Sequence, residues 1–311
     1  MPAITSSAPG KIILFGEHAV VYGQPAIAVP VHQVQARAVV KPQPGGEGIK
    51  ILAPDISLNS TLANLPLEDA VSLAIRLTLE ALGVKNPPAC SLLITSTIPL
   101  AAGMGSGAAV SVAIIRAVSG FMGHLLPDET VNQIAFEVEK LHHGTPSGID
   151  NTVVTYAKPV YFVKGQKPET IEISEPFTLV IGDTGIATPT SETVGDVRNS
   201  YQAQPGLFQN YFNTCGMIAK NAAYSIQHHR ISSLGPLMND NHNILIEMGV
   251  SCPELDLLTT AARNAGALGA KLSGGGRGGN MIALVEPGRA AAVEEALLQA
   301  GAVQTITTSV R

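Results

Sequence analysis

The chain has 311 residues, 45% apolar and 14% charged, with a formal net charge of −5. That is enough apolar material for a substantial core in one large or two medium domains. It has no tryptophan and no basic cluster, which argues against a nucleic-acid or anionic-membrane surface. Cys90, Cys215 and Cys252 are widely separated and odd in number, which offers neither a disulfide framework nor a C-x-x-C metal or redox site, and they read as core filler. No apolar run reaches membrane-spanning length, and residues 1–10 lack the charged and apolar regions of a secretory signal, so the expected location is the cytoplasm.

In chain order, residues 11–15 and 26–40 read as strands, 43–48 as a turn and 68–82 as an amphipathic helix. Residues 91–98 read as a strand that leads into P-L-A-A-G-M-G-S-G-A-A at 99–109, with an apolar helical run over 110–126. A helix over 128–142 carries an apolar stripe of Val131, Ile134, Ala135, Val138 and Leu141, which leaves Glu139 off its centre. Residues 153–163 read as a strand, 165–176 as a polar linker and 178–183 as a strand. Two or three helices are expected over 204–265. A second glycine stretch, K-L-S-G-G-G-R-G-G-N at 271–280, falls between two strands, and a helix over 290–300 and a strand over 303–310 close the chain. Strands interleaved with helices in this order predict an α+β sandwich, divided at 1–176 and 177–311.

Strand, glycine loop, helix is a phosphate-binding arrangement. Glycines let the backbone approach an anion, and the first N–H groups of the helix point at it. Neither glycine stretch spells a Walker A loop, and either alone reads equally well as a turn. Gly103, Gly105 and Ala108 also fit the loose dinucleotide pattern G-x-G-x-x-G/A, which requires an acidic residue ending the next strand. Asp128 stands at about that distance but opens a helical pattern and reads as a cap. Lys11, Glu17 and His18 lie among small and apolar neighbours and need partners or a ligand, unless the lysine snorkels to water and the glutamate sits in a turn. Asp150 ends the turn-rich H-G-T-P-S-G-I-D at the start of the predicted strand, where it caps the turn or serves chemistry. Thr190 and Ser191 offer hydroxyls to a ligand or to the helix after them.

Together A-P-G-K-I-I-L-F-G-E-H-A-V-V-Y-G, G-M-G-S-G-A-A and K-L-S-G-G-G-R-G-G, in this order across nearly the whole chain, resemble the three motifs of the galactokinase, homoserine kinase, mevalonate kinase and phosphomevalonate kinase (GHMP) superfamily. Within it, G-E-H-A-V-V-Y-G and H-G-T-P-S-G-I-D-N resemble the mevalonate-kinase members. The resemblance implies a two-domain α+β GHMP kinase fold, with an N-terminal domain like part of a ribosomal protein and a ferredoxin-like C-terminal domain. It also implies in-line transfer of the γ-phosphoryl group of ATP to the C5 hydroxyl of mevalonate in isoprenoid biosynthesis, with Mg²⁺ required. Asp150 resembles the catalytic base and Lys11 the lysine beside it, while Glu139 resembles the magnesium ligand. Nucleotide contacts are implied for Pro99, Ala102, Gly103, Met104, Gly105, Ser106, Gly107 and Ala108, and substrate contacts for Glu17, His18, Thr190, Ser191 and Gly275.

Two positions depart from the family pattern. Gly107 replaces a serine that helps to hold magnesium, so either Glu139 and water carry the metal or Ser106 substitutes from one position earlier. Arg277 interrupts a loop that is more often all glycine, and it either touches a phosphate or forms a surface ion pair. The family implies a homodimer. Lys158 is a candidate for the substrate carboxylate by its position eight residues after Asp150. The alternatives are another small-molecule kinase of the superfamily, a kinase for a different hydroxyl, or a catalytically silent nucleotide sensor. The presence of Lys11, Glu139 and Asp150 argues against the sensor.

Overall fold

The computed structural model describes residues 2–99, 103–143 and 146–311, with only the backbone of His142 and His143. It divides into two compact units. The first holds the residues up to 10, 34–99 and 105–157; the second holds 11–33, the stretch ending at Met104, and 158–311.

The first unit draws on β1 (Ile4–Phe15), β2 (Ala26–Pro42), β3 (Ile49–Ala53), β4 (Leu58–Thr61), α1 (Ala70–Ala81), β5 (Cys90–Ser96), α2 (Ser106–Phe121), α3 (Asp128–His143) and α4 (Ile149–Tyr156). β1 pairs with β2. Residues 36–42 of β2 run antiparallel to β5, β5 runs parallel to β3, and β3 runs antiparallel to β4. In β2, Val34, Ala36, Ala38 and Val40 are buried while Gln35 and Arg37 are exposed, the alternation of a sheet with one covered face. α2 is buried on almost every side, from Ala108 through Ile114 and Ile115 to Phe121, as befits a helix packed by α1, α3 and α4.

Two readings of this unit need correction. Residues 153–163 are not one strand: α4 occupies Ile149–Tyr156 and only Val160–Phe162 is extended. Gly148, at φ 92, opens the helix, the Thr152 hydroxyl donates to the Gly148 carbonyl at 2.6 Å, and Ala157 closes it in the left-handed conformation. Val153, Val154 and Thr155 are all buried, and a short apolar run buried on every side shows no period to tell helix from strand. On α3, Glu139 is only 4% exposed while Leu141 is 41% exposed. The buried ridge runs Val131, Ala135, Glu139 at i, i+4 spacing, so the carboxylate takes the place assigned to the leucine.

The second unit contains residues 26–28 of β2 antiparallel to β6 (Val160–Phe162), with β7 (Glu169–Thr170) beyond it inside the predicted linker. β8 (Phe177–Asp183), α5 (Thr190–Ala203), α6 (Pro205–Gln227), α7 (Leu234–Glu247), α8 (Pro253–Asn264), β9 (Gly269–Ser273), β10 (Asn280–Val285), α9 (Ala290–Gln299) and β11 (Gln304–Val310) follow. The sheet order is β11-β8-β10-β9, antiparallel throughout. Val180, Leu272, Met281 and Ala283 of the sheet share a core with Phe212, Leu255, Leu258, Val293 and Leu297 of the helices. Helix begins at Thr190 rather than near 204; α5 buries only Thr193 and Val197, too few apolar positions to announce a period.

The free edge of β9 is covered by side chains of α7 and α8. The Ala270 N–H donates to Asn239 Oδ1 at 3.1 Å, the Leu272 N–H to His242 Nδ1 at 3.3 Å, and Arg263 donates to the Ala270 carbonyl at 2.6 Å. These bonds satisfy backbone groups that an edge strand otherwise leaves to water or to another chain.

Candidate active site

The first unit positions the glycine loop's helix and three acidic or hydroxyl side chains. Gly105 holds φ 70 at the N-cap of α2, and no side chain among the described residues caps the helix; the Gly105 carbonyl accepts from the Ala109 N–H at 2.9 Å. The first N–H groups of α2 are therefore left without a side-chain cap, at the positive end of the helix dipole. Ser106 opens α2 half-buried, Gly107 follows exposed and with φ outside the positive range, and Ala108 is buried. Pro99 is half-buried ahead of them, and Ala102 lies outside the described residues. Glu139 is buried on α3, which packs on α2.

Asp150 is half-buried in the first turn of α4, again the favourable end of a helix for negative charge. The neighbouring Asn151 anchors that turn: its amide donates to Asn132 Oδ1 of α3 at 2.6 Å.

The second unit gathers the remaining candidates. Lys11 is 3% exposed, which excludes snorkelling to water, and its N–H donates to the Met104 carbonyl at 3.0 Å. Gly103 is exposed with φ 73. Its carbonyl lies 3.7 Å from where a Cβ on Gly274 would stand, so the two glycine stretches meet. β1 is tied to β9 by one hydroxyl: Ser273 Oγ accepts from the Ile13 N–H at 3.0 Å and donates to the Ile13 carbonyl at 2.8 Å.

Just after β1, Gly16 at φ 93 makes a turn in which a Cβ would fall 2.5 Å from the Pro25 carbonyl oxygen, so only glycine fits. That turn delivers Glu17 and His18 to the interior. Glu17 forms an ion pair with Lys271 of β9, and both side chains are fully buried. Burial raises the carboxyl's pKa and lowers the ammonium's, while each charge partly offsets the shift of the other. Removing one partner alone would strand a buried charge at ~3–5 kcal/mol, so the pair locks the segment after β1 onto β9.

His18, itself at φ 58, is driven down to about 4 by burial, with Arg277 and Lys271 adding to the effect. It is therefore neutral near pH 7. Its Nε2 donates to the Gly275 carbonyl at 3.0 Å, which leaves Nδ1 as an acceptor, buried and without a partner among the described residues. Thr190 Oγ1 stands 3.1 Å from where a Cβ on Gly275 would lie, which accounts for the glycine there; Thr190 is half-buried and Ser191 exposed.

Arg277 pairs with Asp196, the ion-pair alternative of the sequence reading. Lys158 is exposed between α4 and β6. No motif in the sequence assigns Lys271 a role, although a lysine inside an apolar strand must find a buried partner. All three cysteines are free; burial pushes the Cys90 and Cys215 thiols up to about 11 and about 12, as inert core residues. No described helix is long and apolar enough to cross a membrane.

Comparison with known proteins identifies the family to which the sequence and the fold belong. The GHMP kinases N terminal domain matches residues 65–158 and the GHMP kinases C terminal domain matches residues 222–303. Mevalonate kinase of Pyrococcus horikoshii is 38% identical over 98% of this chain and 95% of its own length. The crystal structure of L. major mevalonate kinase in complex with R-mevalonate superposes with a TM-score of 0.85 at 32% identity, covering 99% of this chain and 95% of that one. Methanococcus jannaschii mevalonate kinase gives a TM-score of 0.83 at 26% identity, over 98% of this chain and 96% of the other.

Proposed function

The chain belongs to the GHMP kinases and, within them, to the mevalonate kinases; on that premise we propose that it transfers the γ-phosphoryl group of ATP to the C5 hydroxyl of mevalonate in isoprenoid biosynthesis. The observation that carries this reading is near-full-length identity with a mevalonate kinase at 38%.

Asp150 is the general base that takes the hydroxyl proton, a role favoured by its seat in the first turn of α4. Lys11 stabilises the charge that develops on the transferring group. The uncapped N–H groups opening α2 bind nucleotide phosphate, with the open backbone at Gly103 beside them in sequence. Glu139 and Ser106 offer the oxygen donors that suit Mg²⁺, which supplies charge neutralisation on the phosphates. His18 presents Nδ1 as a fixed acceptor for an acceptor-substrate hydroxyl, and Thr190 and Ser191 add hydroxyls. Glu17, sealed against Lys271, supports this wall from behind. The same reading takes the protein as cytoplasmic and homodimeric.

An ADP-release assay with mevalonate, phosphomevalonate, galactose and homoserine in parallel tests the acceptor. Turnover is expected with mevalonate, and a preference for any other acceptor overturns the assignment. For the base, Asp150→Asn should lower kcat by ~10²-fold or more while ATP KM stays near wild type. A variant with near-wild-type kcat would move the role elsewhere.

A further inference from the structure

The second glycine loop contains one residue that is not glycine and that holds a conformation side chains resist. Arg277 has φ 56, in the left-handed region. An outlier of this kind persists only where its surroundings fix it. Four interactions do so. The Arg277 N–H donates to the Val250 carbonyl at 2.8 Å and its own carbonyl accepts from Thr188 Oγ1 at 2.7 Å. Its Nε donates to the Gly249 carbonyl at 3.2 Å, and its guanidinium pairs with Asp196.

A glycine would adopt this backbone freely and keep the first two bonds. What the arginine adds is the pair of side-chain tethers, one to the turn between α7 and α8 and one to α5. Asp196 lies on α5, six residues after Thr190, and Thr190 packs against Gly275 in the same glycine loop. The first turns of α5 are thus gripped at two points by one loop.

We propose that Arg277 is a positioning residue: through Asp196 it fixes the start of α5, with Thr190 and Ser191, against the loop 274–279 and so sets affinity for the acceptor substrate rather than for the nucleotide. The statement about the acceptor rests on the kinase reading above. The tether itself does not.

The test uses Asp196→Ala, Arg277→Gly and the conservative Arg277→Lys, with mevalonate KM, ATP KM, kcat and amide hydrogen exchange over 186–196 and 273–280. For Asp196→Ala and Arg277→Gly, mevalonate KM should rise by about threefold to fivefold, the scale of one half-exposed ion pair. ATP KM and kcat should stay within about twofold, and exchange should quicken in both segments. Arg277→Lys should recover part of the loss, because a lysine keeps the charge without the second tether. Unchanged exchange in both variants overturns the tether, and parallel rises in both KM values reduce it to general loosening and overturn the specific role. If the wild-type protein turns over no mevalonate, the kinase reading fails and the exchange data still decide the tether.

Discussion

The two glycine stretches use the same residue for opposite reasons. In the loop 274–279 the protein's own atoms demand it: a Cβ on Gly276 would fall 1.9 Å from the Val250 carbonyl oxygen. In the first stretch, Gly103 also has positive φ, yet a Cβ there would meet nothing within 4 Å among the described residues. At Gly276 chain packs against the glycine, whereas at Gly103 the space in front of it is open among the described residues. A binding loop has the second property and a scaffold loop the first.

The same methyl group added to each loop should have opposite consequences. Gly276→Ala should destabilise the protein by ~3 kcal/mol or more, since backbone atoms cannot step aside as a side chain can. Gly103→Ala should cost only the conformational strain of about 1 kcal/mol, leave Tm nearly unchanged and raise ATP KM several-fold. Denaturation midpoints and ATP kinetics on both variants decide. The reverse pattern, with Gly103→Ala unfolding the protein and Gly276→Ala losing only ATP affinity, would end the distinction.

A smaller effect concerns the strand behind the packed loop. Burial, with Arg263 and Lys271 nearby, drives His242 down to about 4 against the pull of Asp256. The Leu272 N–H already donates to Nδ1, so the proton of the neutral ring sits on Nε2, which lies 3.1 Å from Thr259 Oγ1 and 3.3 Å from Asp256 Oδ1. The unfolded histidine takes up its proton near 6.5 and the folded one only near 4. The stabilisation is therefore complete above about pH 6.5 and lost as pH falls toward 4, by at most about 3 kcal/mol. His18 shifts in the same direction. Urea unfolding at about pH 7 and about pH 4.5 should show His242→Asn with roughly half the wild-type acid sensitivity. Identical pH dependence in the two proteins would remove His242 from the account.

The smallest change belongs to the open loop. Gly107 lies in the first turn of α2 at a φ that any residue adopts, and it is exposed, so Gly107→Ser meets no backbone penalty. It should leave Tm unchanged and lower ATP KM by about twofold at limiting magnesium, as an added oxygen donor would. A clear loss of nucleotide affinity would show that Gly107 itself presses against the phosphates.

Much of the fold could be read from local pattern. The long β2, the helix before β5, β5 and α2 on either side of the first glycine stretch, and the closing helix and strand all follow from periodicity and glycine placement. Local pattern fails where period is erased: in α4 by burial on every side, in α5 by a scarcity of apolar residues, and in β3 and β4, which it leaves unassigned, by their shortness. The candidate site was legible as motifs and not as partners. Glu17 and Lys271 are 254 residues apart in sequence, and Arg277 and Asp196 are 81 apart, distances at which no local pattern reports a contact. Glu139 reads as off the centre of the apolar stripe because a carboxylate on a buried ridge contradicts the pattern that defines the ridge.

The central claim, phosphoryl transfer from ATP to the C5 hydroxyl of mevalonate, is tested most directly by proton–phosphorus correlation NMR of the product formed with ATP and mevalonate. The account predicts a phosphate monoester whose phosphorus couples to the C5 methylene protons. A product phosphorylated at the tertiary hydroxyl, which lacks that coupling, or ATP consumed with no phosphorylated mevalonate at all, would contradict it.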